Sequence, residues 1–194
     1  MDTDAFAGRL LPAERVTWTG QPAQGLLLTA RDIFFIPFSL AWCGFAIFWE
    51  ASVVGVSTRI ASNAGPVANV PVAMVAFGAV FVCLGLFFVF GRFLADAWIR
   101  RNIAYAVTNE RVLIARSGPF GTFSSLNLDR LPDVQISERA NGRGTIRFGE
   151  RPSMWGNRSF GAWLPALDPT PQFLAIADAR RVFDLIQGQA RGNA

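Results

Sequence analysis

The sequence predicts an α+β membrane protein: a two-helix transmembrane hairpin, then a small antiparallel β domain closed by a C-terminal helix. Three observations carry this. Residues 33–49 and 60–91 contain no charged side chain and are almost wholly apolar. The stretch after them alternates apolar and polar residues between turn signals, as half-buried strands do. The chain closes on an amphipathic helical pattern.

Composition sets limits first. Hydrophobic residues make up 52% of the 194 and charged ones 16%, against about 25% charged in an ordinary globular domain. Histidine is absent, which removes Ser-His-Asp and Cys-His catalysis, imidazole metal ligation and the usual general base near neutral pH. Cys43 and Cys83 both fall inside the apolar stretches, so neither a disulfide framework nor a metal site is expected. All 18 basic residues are Arg. Guanidinium suits phosphate, although GC-rich coding gives the same composition without any function.

Residues 1–31 balance Asp2, Asp4 and Glu14 against Arg9, Arg15 and Arg31, with no apolar run or cleavage site of the signal-peptide kind. They are read as a retained N-terminal segment, either at the membrane interface through Trp18 and Leu26–Leu28 or paired with the β domain. Residues 32–95 are read as the hairpin. A first helix over 33–55 is long enough for a ~30 Å hydrocarbon core, with Pro37 loosening its early turns. Ser, Asn, Gly and Pro over 57–69 predict a loop. Pro71 at a first-turn position opens a second helix over 70–92. Gly78 and Gly85 mark a face for close packing, against the first helix or another protein.

Arg59 is the one base of the connection, whereas Arg9, Arg15 and Arg31 precede the hairpin and Arg92, Arg100 and Arg101 follow it. The positive-inside rule then predicts cytoplasmic termini and a multi-pass protein of the cell inner membrane. Trp49 and Trp98 fall at the two interfaces. Glu50, about 26 Å along the helix from Ile33, falls near the outer one.

Residues 96–194 are read as five to seven short strands and a helix. Ile103, Tyr105 and Val107 alternate before a turn at Thr108–Glu110, and strand residues resume at Arg111–Ala115. Further strands follow over 122–128, at Val134 and Ile136, and over 145–148, with Asn141-Gly142 as a type I′ turn. Residues 150–169 receive no assignment. Thr170 as a cap and Pro171 at the first position predict a closing helix. Its apolar face is Phe173, Ile176, Ala179, Phe183 and Ile186, its ion pairs are Asp178 with Arg181 and Arg180 with Asp184, and Gly188 is its stop.

Three phrases, LLPAERVTWTGQPAQG (10–25), YAVTNERVLIAR (105–116) and LDRLPDVQISERANGRGTIRFG (128–149), together with the order of hairpin, domain and final helix, resemble the bacterial PH-like domain membrane proteins. The resemblance implies a PH-like fold, a bent β-sandwich or barrel capped by the helix, and no assigned reaction. It carries the functional expectation: a membrane-tethered interaction module at the inner face, binding lipid headgroups or a protein. The alternative is an accessory subunit of a larger membrane complex.

Residues 92–194 hold the whole excess of positive charge. Arg100 and Arg101 are the first expected lipid contacts, since a base near an anionic membrane contributes roughly 1 kcal/mol. Arg139, Arg143, Arg147 and Arg151 bracket the Asn141-Gly142 turn and form the second expected site, for lipid or a partner. No phosphate loop, metal cluster or nucleophile elbow occurs, and alternation scatters Asp129, Asp133 and Glu138 over both faces. No catalysis, cofactor, nucleic acid or small-molecule substrate is expected; the expected partners are membrane lipids and either further copies of the chain or a larger complex.

Overall fold

The computed structural model describes residue 6 and residues 8–64, 72–139, 142–149 and 164–192. It forms two compact units, Met1–Leu27 with Ala95–Ala194, and Leu28–Leu94.

The first unit contains two antiparallel sheets. One has the order β1-β2-β3-β4, from Val16–Gly20, Ile103–Thr108, Arg111–Arg116 and Thr122–Asn127. The other has the order β5-β6-β7, from Val134–Glu138, Gly144–Phe148 and Gln172–Ile176. The N-terminal phrase pairs with the domain: Trp18 lies opposite Val107 and Gly20 opposite Tyr105. The chain therefore leaves this sheet after β1 and rejoins it at β2, with the whole apolar region between.

One core joins both sheets to the C-terminal helix, here numbered α4 (Ala179–Gly192). Tyr105 and Val107 of β2, Ile146 and Phe148 of β6, Phe173 and Ile176 of β7, and Val182 and Ile186 of the helix are all nearly inaccessible. Gly144 is required where that helix crosses β6, because a Cβ there would lie 2.7 Å from the Ala179 methyl. On the opposite face of the four-stranded sheet, Phe6 covers Ala106, Leu113 and Ala115. Glu14 fastens that N-terminal stretch. Its carboxylate accepts from Arg111 Nη2 at 2.8 Å, Thr108 Oγ1 at 2.8 Å and the Leu11 amide at 2.7 Å.

The predicted closing helix starts too early. Residues 172–176 are a strand, and the helix begins at Ala179. Every residue of β7 is buried, so the strand lacks the alternation that would separate it from a helix face. Ala175 sits at φ +48 beside the register break between Gly144 and Ile146, which shifts the spacing further. Gly188 does not stop the helix, which runs on to Gly192. The strand count of seven among the described residues is at the upper end of the expectation.

In the second unit α1 spans Asp32–Ala64, beyond the expected end at 55. The hydroxyls of Ser57 and Thr58, counted as loop residues, donate back to the Val53 and Gly55 carbonyls and are satisfied inside the helix. The rest of the predicted connection, with Pro71, lies outside the described residues. Helix α2 (Val72–Leu86) continues through a π turn at Phe87–Gly91 into α3 (Arg92–Arg101), past the expected end at 92. Two 28-residue helical stretches, Asp32–Arg59 and Met74–Arg101, are long and apolar enough to cross a membrane.

Asp32 closes the turn that opens α1: the Thr29 amide and hydroxyl donate to Asp32 Oδ2 at 2.6 and 2.8 Å. The other oxygen of Asp32 lies 2.8 Å from Arg92 Nη2. The Gly78/Gly85 face meets α1. A Cβ at Gly85 would stand 3.0 Å from Cys43 Cα, and one at Gly78 would overlap the Glu50 carboxylate.

Two outcomes follow. Gly85→Leu should loosen the hairpin and lower the thermal midpoint of the detergent-solubilised chain by several degrees, whereas Gly44→Leu, where a Cβ meets nothing within 4 Å, should leave it nearly unchanged. The bond from Arg111 holds the Glu14 carboxyl at about 2 instead of 4.5. Its folded value is below its unfolded one, so the stability it supplies is complete above about 4.5 and is lost as the pH falls towards 2. Glu14→Gln should therefore cost about 3 kcal/mol at neutral pH, with the difference vanishing at the acid end, in denaturant titrations followed by tryptophan fluorescence.

Candidate functional site

The site is built at one end of the first unit, where Ile103, Arg116 and Thr122 face one another across β2, β3 and β4. The same end contains Gly20 opposite Tyr105, so it is where the chain departs from and returns to the sheet. Just inside lies an aromatic floor. Phe173 packs on Tyr105 at 4.6 Å between ring centres, on Phe148 at 5.4 Å and on Trp18 at 5.5 Å. The Tyr105 hydroxyl accepts the Leu174 amide at 3.1 Å, which ties the two sheets together. Burial pushes the Tyr105 hydroxyl well above its ordinary pKa of 10.0.

A buried ion pair braces the segments around this end. Arg100 donates through Nε to Asp96 Oδ2 at 2.7 Å, through Nη2 to the Gly25 carbonyl at 2.6 Å, and through Nη1 to the Ala23 carbonyl. Asp96 also accepts the Ala166 amide at 2.9 Å through its other oxygen. Three stretches remote in sequence, 23–25, 96–100 and 165–167, are thereby fixed to each other.

Ala166, held by Asp96, lines a cavity of about 280 Å³ together with Tyr105, Ile114, Arg116 and Ser124 of the sheet and Asp168 and Thr170 of the segment before β7. Arg116 holds its plane through three bonds: Nε to the Phe120 carbonyl at 2.6 Å, Nη1 to the Ala166 carbonyl at 2.8 Å, and Nη2 to Thr122 Oγ1 at 2.9 Å. All three acceptors are neutral, and burial lowers the pKa of this Arg. Asp168 is occupied. Its Oδ1 accepts the Thr170 amide at 2.9 Å, and its Oδ2 lies 3.8 Å from Arg147 Nη2.

The expected contact residues are dispersed. Arg100, proposed for lipid, is 1% exposed and works inside the fold, because its i,i+4 partner Asp96 and two carbonyls take its donors. Arg101 is exposed. Arg139 and Arg143 are exposed at the β5–β6 turn, where the Arg143 carbonyl accepts the Arg139 amide at 2.8 Å. Arg147 turns away from that tip towards Gln172, to which it donates at 2.9 Å, and Arg151 and Asn141 lie outside the described residues. Trp49 and Trp98 are 45% and 49% exposed. Glu50 lies over Gly78 with Oε2 buried and unpartnered. Among the described residues no group of His, Cys, Asp or Glu could hold a metal.

Sequence reasoning missed Arg116, and a signal for it existed. Period-two alternation through RVLIAR puts Val112, Ile114 and Arg116 on one face, so an inward guanidinium at the strand end was readable.

A family model described as Bacterial PH domain matches residues 45–190, more than half of the chain. The chain belongs to that family. No curated protein and no solved structure matches it. The match opens inside α1, so β1, which completes the PH domain's four-stranded sheet, precedes the matched residues. The open end of this PH domain thus combines a clamped interior arginine, Arg100, with a second one, Arg116, that faces a cavity.

The clamp can be tested by stability. Asp96→Ala leaves the Arg100 charge buried and unpaired and should cost about 3–5 kcal/mol, whereas Arg101→Ala should stay within about 0.5 kcal/mol of wild type. Thermal unfolding of the two purified variants beside the parent makes the comparison.

Proposed function

We propose that the chain is a membrane-tethered PH-like interaction module, without catalytic activity, held at the inner face of a bacterial membrane. The observation that carries this reading is the place of the apolar region in the chain. It falls between β1 and β2 of a family domain, so the domain is joined to the two helices by two strands of its own sheet. Ile33, Phe34, Phe48 and Leu94 are 70–81% exposed, more contiguous apolar surface than a soluble monomer tolerates, and the composition suits hydrocarbon. Arg101, Arg92 and the N-terminal Arg residues favour cytoplasmic termini. The hydroxyls of Ser39, Ser52, Ser57 and Thr58 each donate to a carbonyl three or four residues earlier in α1, so they need no water.

A second reading, an accessory subunit of a larger membrane complex, is favoured by one feature. A cavity of about 260 Å³ on the hairpin, lined by Trp42, Phe45, Trp49, Phe77, Gly78 and Phe81, is apolar. Because Gly85 already packs on Cys43 of α1, a partner helix would use this aromatic cavity, whose floor includes Gly78.

Alkaline carbonate extraction of native membranes should leave the chain in the pellet. Protease added to spheroplasts should spare residues 95–192, and protease added to inverted vesicles should digest them. Release by carbonate, or digestion from the outside, defeats the tethering or its orientation. Size analysis after mild detergent extraction separates the two readings: migration alone or as a homo-oligomer favours the module, and migration within a defined larger complex favours the subunit.

A further inference from the structure

We propose that the aromatic cavity between α1 and α2 of the hairpin is a binding site for a protonated amine carrying a short apolar arm, with Glu50 as its counter-charge. The inference goes beyond the interaction-module reading and rests on neither the β domain nor the orientation of the chain.

The first argument is an unmet charge. Glu50 follows Trp42 and Ala46 by two turns and one turn of α1, and its carboxylate rests on Gly78 of α2. Trp42, Ala46 and Gly78 all line the cavity, so the carboxylate stands at its edge. Oε2 is buried and receives no hydrogen bond among the described residues. None of the ion pairs among them includes Glu50, and residues 60–91 contain no base that α2 could offer. A carboxylate oxygen so placed carries a desolvation cost that nothing in the hairpin offsets. Filling the space over Gly78 needs only volume. An apolar side chain at position 50 would serve that role at lower cost, so the carboxylate points to a missing cation.

The second argument is the walls. Trp42, Phe45, Trp49, Phe77 and Phe81 line the same cavity. Trp42 stacks on Phe81 at 5.8 Å between ring centres, Phe77 meets Phe81 at 4.8 Å, and Phe45 meets Trp49 at 6.4 Å. Ring faces attract cations through their quadrupole, most strongly where water is excluded. The guanidinium groups of Arg9 and Arg92 rest on other rings, Phe123 and Phe93. A quaternary ammonium would suit the cavity walls but has no N–H for Glu50, whereas a protonated primary amine supplies both charge and donors. Phe45 and Phe77 are 62% and 63% exposed, so an amine reaches the cavity from the side of the hairpin. A volume of about 260 Å³ equals about nine waters, the size of a phenylethylamine. A partner helix without a base would fill the cavity and leave the carboxylate unmet.

The experiment uses the full chain in maltoside micelles at neutral pH. Equilibrium dialysis and native mass spectrometry follow phenylethylammonium, the neutral donor phenylethanol and the neutral hydrocarbon propylbenzene, three probes of one shape. The variants are Glu50→Gln, Trp49→Leu and, as a control at an exposed ring outside the cavity, Phe90→Leu. The expected result is saturable binding of the ammonium, about tenfold or more tighter, roughly 1.4 kcal/mol, than either neutral probe. Glu50→Gln should abolish that preference, Trp49→Leu should weaken the ammonium about threefold, and Phe90→Leu should change neither. Absence of saturable binding, equal binding of the three probes, full preference in Glu50→Gln or equal weakening by Phe90→Leu overturns the proposal. A protein that co-purifies with the chain and excludes the ammonium also overturns it, and assigns the cavity to a partner helix. If Glu50→Gln fails to fold, the preference of the parent for the ammonium and its weakening in Trp49→Leu decide.

Discussion

Arg100 brings a full positive charge into the interior, and a buried guanidinium persists only where its donors are met by a counter-charge and by fixed acceptors. Asp96, one helical turn earlier, supplies the counter-charge, and the carbonyls of Ala23 and Gly25 supply the rest. The geometry leaves little freedom. For those carbonyls to arrive, the chain after β1 must pass beside the end of α3, and for Asp96 to accept the Ala166 amide, the turn before β7 must close on the same point. The exit from β1, the end of α3 and the turn before β7 are therefore held at one point by one ion pair. An apolar substitute could pack there, but it would not specify which carbonyls come together.

The division between apolar and alternating segments was legible in the sequence because hydrophobic period is a local property. Absence of charge over 33–49 and 60–91 marks both helices, and the hairpin of β2 and β3 follows from YAVTNERVLIAR. The failures share a cause. Each concerns a residue whose role depends on a partner distant in the chain. Residues 172–176 are buried on both faces, so strand and helix read alike until α4 and β6 are in place. Ser57 and Thr58 resemble loop residues, yet satisfy themselves on the preceding helical turn. Arg100 looks like a flanking charge because the carbonyls that claim it lie 75 and 77 residues away. The packing role of Gly78 and Gly85 was visible from spacing, although which surface they meet was not.

The two arginines at the open end are treated in opposite ways by the same fold. Arg100 is neutralised and inaccessible, while Arg116 is oriented but not neutralised. The contrast matters more than the total charge of the region, since an arginine with its donors spent cannot recognise anything. By the same criterion Arg147, turned towards Asp168 and Gln172, contributes to the frame of the cavity and not to a contact surface.

The place of the hairpin between β1 and β2 also has a temporal side. Translation delivers β1 first, then residues 21–102, and only afterwards the strand with which β1 pairs. Until then the apolar side of β1, including Trp18, has no floor to cover and no ladder to join. Closing a loop of that length is entropically slow but not prohibitive, and the two helices shorten it by packing on each other and bringing their ends together through Asp32 and Arg92. Biogenesis of the sheet is thus coupled to completion of the hairpin: a chain whose helices fail to pair would leave β1 stranded and the edge of β2 open to other strands.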